Sequence, residues 1–171
     1  MLRMPTLDAA RAEALRDDRA SSYNQVLVDR SGAVANVEGS ATDAEITTVD
    51  GRGHLVHTNH YVCERMRPYE GDPVYAEHSS RRYRRGAELL AAADPGTLTA
   101  EDLRGFLADH EGEPDSLCRH PERLPRGPRS ATAFWWVADL TEMRVSFGRG
   151  NPCDSFEQTH AFGAPAADRV A

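Results

Sequence analysis

The densest run of chemically capable side chains is His54-Leu55-Val56-His57-Thr58-Asn59-His60, with Cys63 just beyond and His78 further on. Imidazole and thiolate are preferred zinc ligands, so histidines three residues apart beside a cysteine suggest a metal site. The local backbone opposes that reading. Gly51 and Gly53 mark a turn, and the segment after it reads as extended, so His54 and His57 point to opposite faces. Surface or supporting histidines follow, with no metal expected. A second cluster, Ser79-Ser80-Arg81-Arg82-Tyr83-Arg84-Arg85, places four arginines at a helix start. Arg81 and Arg85 share one side of a helix and Arg82 lies on another. The run is therefore either a solvated basic face or a helix that turns at least one guanidinium inward, toward a carboxylate or a substrate. Cys118-Arg119-His120 and Gly150-Asn151-Pro152-Cys153 offer two more thiols. Nothing nearby in sequence sets a base on either sulfur, and cysteine is among the most buried residue types, so packing is their expected role.

The elements that must position these groups are legible in part. Residues 5–16 read as a short helix, with Thr6 as its N-cap. Tyr23 to Asp29 and Ala33 to Glu38 read as a hairpin across Arg30-Ser31-Gly32. A second pair, Ala44 to Val49 and His54 to Asn59, flanks Asp50-Gly51-Arg52-Gly53. Residues 60–78 carry Pro68, Gly71 and Pro73 without periodicity and read as a loop. A helix from about Ser79 to Ala93 is stopped by Asp94-Pro95-Gly96. Thr99 and Asp102 form a capping-box pair for a helix ending near His110. Residues 111–130 are irregular. Ala131 to Ala138 and Met143 to Phe147 form a last hairpin before a flexible tail at 157–171. Strands, then helices, then strands imply an α+β fold.

Composition narrows the classes. The 171 residues suit one domain, with 1–18 as a leading helix, and 40% hydrophobic with 27% charged residues argue against both membrane and disordered classes. The net charge is −7 and all 20 basic residues are arginine, so neither a nucleic-acid partner nor a lysine-based Schiff base is expected. Three widely spaced cysteines make no disulfide framework, no apolar stretch would cross a membrane, and no signal peptide is evident. A cytoplasmic location is the expectation.

Taken in order, the motifs resemble one family. Ser21-Ser22-Tyr23-Asn24, Asn36-Val37-Glu38, Leu55-Val56-His57-Thr58-Asn59-His60, Ser79-Ser80-Arg81, Pro114-Asp115-Ser116-Leu117-Cys118-Arg119-His120, Asp139-Leu140-Thr141 and Gly150-Asn151-Pro152-Cys153 together look like the peptidase C45 family of isopenicillin N acyltransferase-like enzymes. The resemblance covers about residues 19–156. It implies an N-terminal nucleophile (Ntn) hydrolase fold, an αββα sandwich of two antiparallel sheets. It also implies an N-terminal cysteine that forms an acyl-thioester with a small acylated amine, amide or acyl-coenzyme A, without a cofactor. Asn59 then matches the oxyanion donor and Arg81 the arginine near the nucleophile, with Arg82 as the alternative by one register step. Ser80 and Arg82 are expected at the substrate. The nucleophile position lies upstream of the resemblance and none of the three cysteines occupies it. The expectation is thus an incomplete, C-terminal portion, inactive alone and paired with a nucleophile-bearing half, with apolar surface and strand edges left open. The alternatives are a non-catalytic α+β binding module, a degenerate remnant, or a histidine-rich metal-binding protein.

Overall fold

The computed structural model describes residues 4–18, 21–29, 31–49, 53–123 and 131–162. The fold is α+β, with two antiparallel three-stranded sheets and three α-helices among the described residues. The chain forms two compact units, residues 1–83 and 84–171.

In the first unit, α1 (Leu7–Ala14) begins at Thr6, whose hydroxyl accepts from the Ala9 N–H at 3.1 Å. It packs against β1 (Tyr23–Val28) and β2 (Val34–Gly39), and the Tyr23 hydroxyl donates to the Ala14 carbonyl at 2.6 Å. β3 (Ala44–Thr47) pairs with the other edge of β2, so β2 is the central strand and is buried from Ala35 to Gly39. Its two faces differ. Ala35 and Val37 are apolar, whereas Asn36 and Glu38 alternate with them on the opposite side and are also buried.

The second strand of the expected second hairpin does not form. Residues 54–59 are irregular, and 50–52 of the proposed turn lie outside the described residues. The physical reason is visible in the bonding. The segment spends its polar groups on side-chain bonds to Glu38 and to Ser79 instead of a backbone ladder. The expected loop at 60–78 contains a 3-10 turn at Arg67–Tyr69 and the start of α2 (Pro73–Ala92). Asp72 caps that start, its carboxylate accepting from the N–H groups of Val74 and Tyr75 at 3.0 and 3.1 Å. Proline at the first helical position loses nothing, because that N–H has no intrahelical partner.

In the second unit, α3 (Ala100–Leu107) carries the full Thr99–Asp102 capping box. It packs against β4 (Phe134–Asp139), which pairs with β5 (Arg144–Arg149), which pairs in turn with β6 (Gln158–Ala161). β6 lies where a tail was expected. Gln158-Thr159-His160-Ala161 has no apolar alternation and is held by its ladder to β5 and by His160 stacked on Phe147. Along β4, Trp135 and Val137 are buried while Phe134 and Trp136 are 67% and 59% exposed, leaving one face of this sheet apolar and open. Trp135 donates to the Ser155 hydroxyl at 2.6 Å and packs over Gly148, where a Cβ would lie 2.5 Å from the indole nitrogen. No helix among the described residues is long and apolar enough to cross a membrane.

Candidate oxyanion site

Glu38 organises the site from beneath. Its side chain is fully buried in β2, and it accepts from His57 Nε2 at 2.6 Å and from the N–H groups of Val62 and Cys63 at 2.8 and 2.9 Å. Burial alone would raise its pKa. The three bonds outweigh burial, led by the one from His57, and bring the carboxyl from its ordinary 4.5 down to about 2. The other ring nitrogen of His57 faces the Thr58 carbonyl at 2.6 Å, so both nitrogens meet acceptors and the ring is locked in place. Tyr61 adds a bond from its hydroxyl to the Gly39 carbonyl at 3.0 Å. The segment 57–63 is thereby bound to the polar face of the central strand.

α2 holds the same segment from its other side. Ser79 is fully buried and its hydroxyl accepts from the Asn59 N–H at 2.7 Å, with Thr58 Oγ1 and His60 Nδ1 both at 3.0 Å. Burial, reinforced by the charge of His57, holds His60 below the usual histidine range and favours its neutral ring. One turn further on, Arg82 is 7% exposed and donates from Nη1 to the His78 carbonyl at 3.1 Å and from Nη2 to Asn59 Oδ1 at 2.9 Å.

The guanidinium has only donors, so the Asn59 atom facing it is the carbonyl oxygen and the amide NH2 is the end left for another acceptor. Asn59 is itself exposed, so that NH2 is accessible. The arrangement is a hydrogen-bond donor with its opposite end fixed by a buried cation.

Arg81 is the arginine expected near the nucleophile, with Arg82 as the alternative by one register step. Arg81 is on the exposed side of α2 and pairs with Glu77 at 2.8 Å, one helical turn back. Arg82 is the residue that reaches Asn59, because α2 begins at Pro73 and turns Ser79 and Arg82, three residues apart, toward the 57–63 segment. Ser80 is half-buried and donates to the Glu77 carbonyl at 2.9 Å, which ties it to its own helix. Glu38 was missed as a site residue, since a glutamate alternating with apolar residues reads as the wet face of a strand. Ser79 stands out in the sequence only within the Ser79-Ser80-Arg81 motif.

The three cysteines are free, and two of their thiols are shifted upward. Burial, with Glu38 next to it, pushes the Cys63 thiol up to about 12. Burial and the neighbouring Cys118 raise the Cys153 thiol to about 11. Cys118 is itself fully buried in the second unit. The model of the acyl-coenzyme A:6-aminopenicillanic acid acyl-transferase family matches residues 6–152. The chain belongs to this family. The match spans both units and takes in Glu38, Asn59, Ser79 and Arg82 of the site and Cys118 of the second unit. No curated protein matches the chain significantly. An acyltransferase-family domain therefore presents an exposed side-chain amide oriented by a buried arginine.

Proposed function

We propose that the chain supplies the oxyanion-stabilising side of a C45-type amide hydrolase or acyltransferase that acts on a small acylated amine, an amide or an acyl-coenzyme A. The carrying observation is the bond from Arg82 to Asn59 Oδ1. A thiolate attacking the acyl carbonyl forms a C–S bond and sends the π pair onto oxygen. Asn59 donates its amide to that oxygen, and the cation on its carbonyl end polarises it into a stronger donor. Collapse breaks the C–N or C–S bond, the cysteine's free α-amine returns the thiol proton to the leaving amine or thiol, and a thioester remains for water or an amine to attack. On the family resemblance the thiolate is that of an N-terminal cysteine upstream of the matched region, and in this proposal it lies outside residues 1–171, on a longer form of this chain or on a partner. The site is intracellular in this reading, consistent with unpaired thiols at Cys63, Cys118 and Cys153.

The test is turnover by the chain reconstituted with a nucleophile-bearing segment. Asn59→Ala should lower kcat by about 10²–10³-fold, the usual cost of one oxyanion donor. Arg82→Ala should impair kcat in the same direction, while Arg81→Ala, on the exposed side of α2, should leave it near normal. Damage from Arg81→Ala with none from Arg82→Ala would reject the assignment. Turnover by the chain alone that vanishes on replacing one of its own cysteines would reject an external nucleophile.

A further inference from the structure

The second unit brings together four residues that the sequence scatters over more than forty positions. His110 follows the end of α3, Cys118 and His120 lie in the connection after it, and Cys153 lies between β5 and β6. Their ligand atoms all fall within 4.8 Å of one another. His120 Nε2 is 3.0 Å from His110 Nε2, 3.2 Å from Cys153 Sγ and 3.7 Å from Cys118 Sγ, and the two sulfurs are 3.6 Å apart. One imidazole nitrogen carries either one proton or one lone pair, so it cannot satisfy three such neighbours by hydrogen bonding. A cation at their centre satisfies them all.

The separations fit zinc. Bond lengths of about 2.3 Å to sulfur and about 2.0 Å to nitrogen give tetrahedral edges of roughly 3.8 Å between sulfurs, 3.5 Å between sulfur and nitrogen, and 3.3 Å between nitrogens. The sulfurs are too far apart for a disulfide, whose bond is about 2.05 Å.

The surroundings match a metal ligand set as well. Glu122 Oε1 lies 3.0 Å from His120 Nδ1, the carboxylate arrangement that aims Nε2 at a metal. Asn151 donates from Nδ2 to Cys118 Sγ at 3.2 Å and to the Arg119 carbonyl at 3.0 Å, a bond suited to a thiolate. The backbone is prepared to converge. The Cys118 N–H donates to the Asp109 carbonyl at 2.9 Å, and Gly150, with φ of +89°, turns the chain out of β5 toward Cys153. The unit also has a thin core, since its buried apolar side chains among the described residues are Cys118, Trp135, Val137 and Pro152. Small units of this kind often depend on a metal or a disulfide for stability.

We propose that His110, Cys118, His120 and Cys153 bind a structural zinc ion that ties the end of α3, the 114–120 connection and the β5–β6 connection into one piece. Each cysteine coordinates as thiolate and gives its proton to solvent, and the two histidines coordinate as neutral rings. Four protein ligands leave no open position, so the ion serves stability and not hydrolysis. This is independent of the Asn59 reading, which lies in the first unit.

The test uses the full chain, purified under reducing conditions without a polyhistidine tag. Elemental analysis should find stoichiometric zinc, and the apoprotein loaded with cobalt should show thiolate-to-cobalt charge-transfer absorption. Cys153→Ala and His110→Ala should each weaken zinc binding at least tenfold, Cys153→His should restore it, and Cys63→Ser should leave it unchanged. Glu122→Ala, at an exposed position that does not threaten folding, should weaken zinc binding by about 10–100-fold, as loss of a supporting carboxylate does. Metal-free protein that takes up no zinc would overturn the proposal. So would a Cys118–Cys153 disulfide isolated under those conditions, zinc binding indifferent to both Cys153→Ala and His110→Ala, or a Cys153 thiol alkylated equally fast with and without added zinc.

Discussion

At the scale of single residues, the site is organised by a buried carboxylate. Glu38 binds His57, Val62 and Cys63, and so fixes the segment that carries Asn59. Its pKa of about 2 in the folded chain lies below its ordinary 4.5, so it contributes stability that is complete above about pH 4.5 and is lost as the pH falls toward 2. At about 1.4 kcal/mol per pKa unit the contribution is roughly 3 kcal/mol. Urea denaturation at stepped pH should therefore show stability falling through that window. Glu38→Gln should lower stability at neutral pH and flatten the fall, and a wild-type curve level from pH 5 to 2 would contradict the role. The motifs of the family resemblance pointed to Asn59, at the Thr58-Asn59 step, as the donor. They could not choose between Arg81 and Arg82, because adjacent helical positions differ by about a quarter-turn and the choice depends on which face α2 buries.

At the scale of elements, the sequence and structure agree where local chemistry decides the geometry. The Thr99–Asp102 capping box, the Thr6 cap and the two outer hairpins are short-range bonds or period-two patterns, and each forms. The start of α2 at Pro73 lies six residues before the expected Ser79, because a proline amid charges reads as loop unless the preceding aspartate is taken as its cap. The 54–59 segment was not legible. Alternating residues after a glycine turn suit a strand, and only the competing bonds from Glu38 and Ser79 remove it from the sheet. Close packing adds a constraint in the second unit at Gly148, which lies beneath Trp135. Gly148→Ala should destabilise this sheet by about 1–3 kcal/mol through overpacking, read as a lower denaturation midpoint. A variant as stable as the wild type would show that the indole and Ser155 shift freely.

At the scale of the whole molecule, the bonds that make the two sites are confined to different units: those of Glu38 and Asn59 to residues 1–83, those of the His–Cys cluster to residues 84–171. Chelation should therefore raise amide hydrogen exchange in α3, β4 and the 110–123 connection while leaving β1, β2 and β3 protected. Uniform loss of protection would mean that the cluster supports both. The open apolar face of β4, with Phe134 and Trp136 exposed, is the kind of surface expected of sheets that pack against further structure. By itself the sequence determined the α+β class and the family, because caps, turn residues, strand alternation and ordered motifs are local and are written along the chain. Tertiary structure alone decided that Arg82 orients Asn59, that Glu38 is buried, and that His110, Cys118, His120 and Cys153 meet. Each of these depends on distant segments converging, and a residue's own neighbours along the chain carry no record of that.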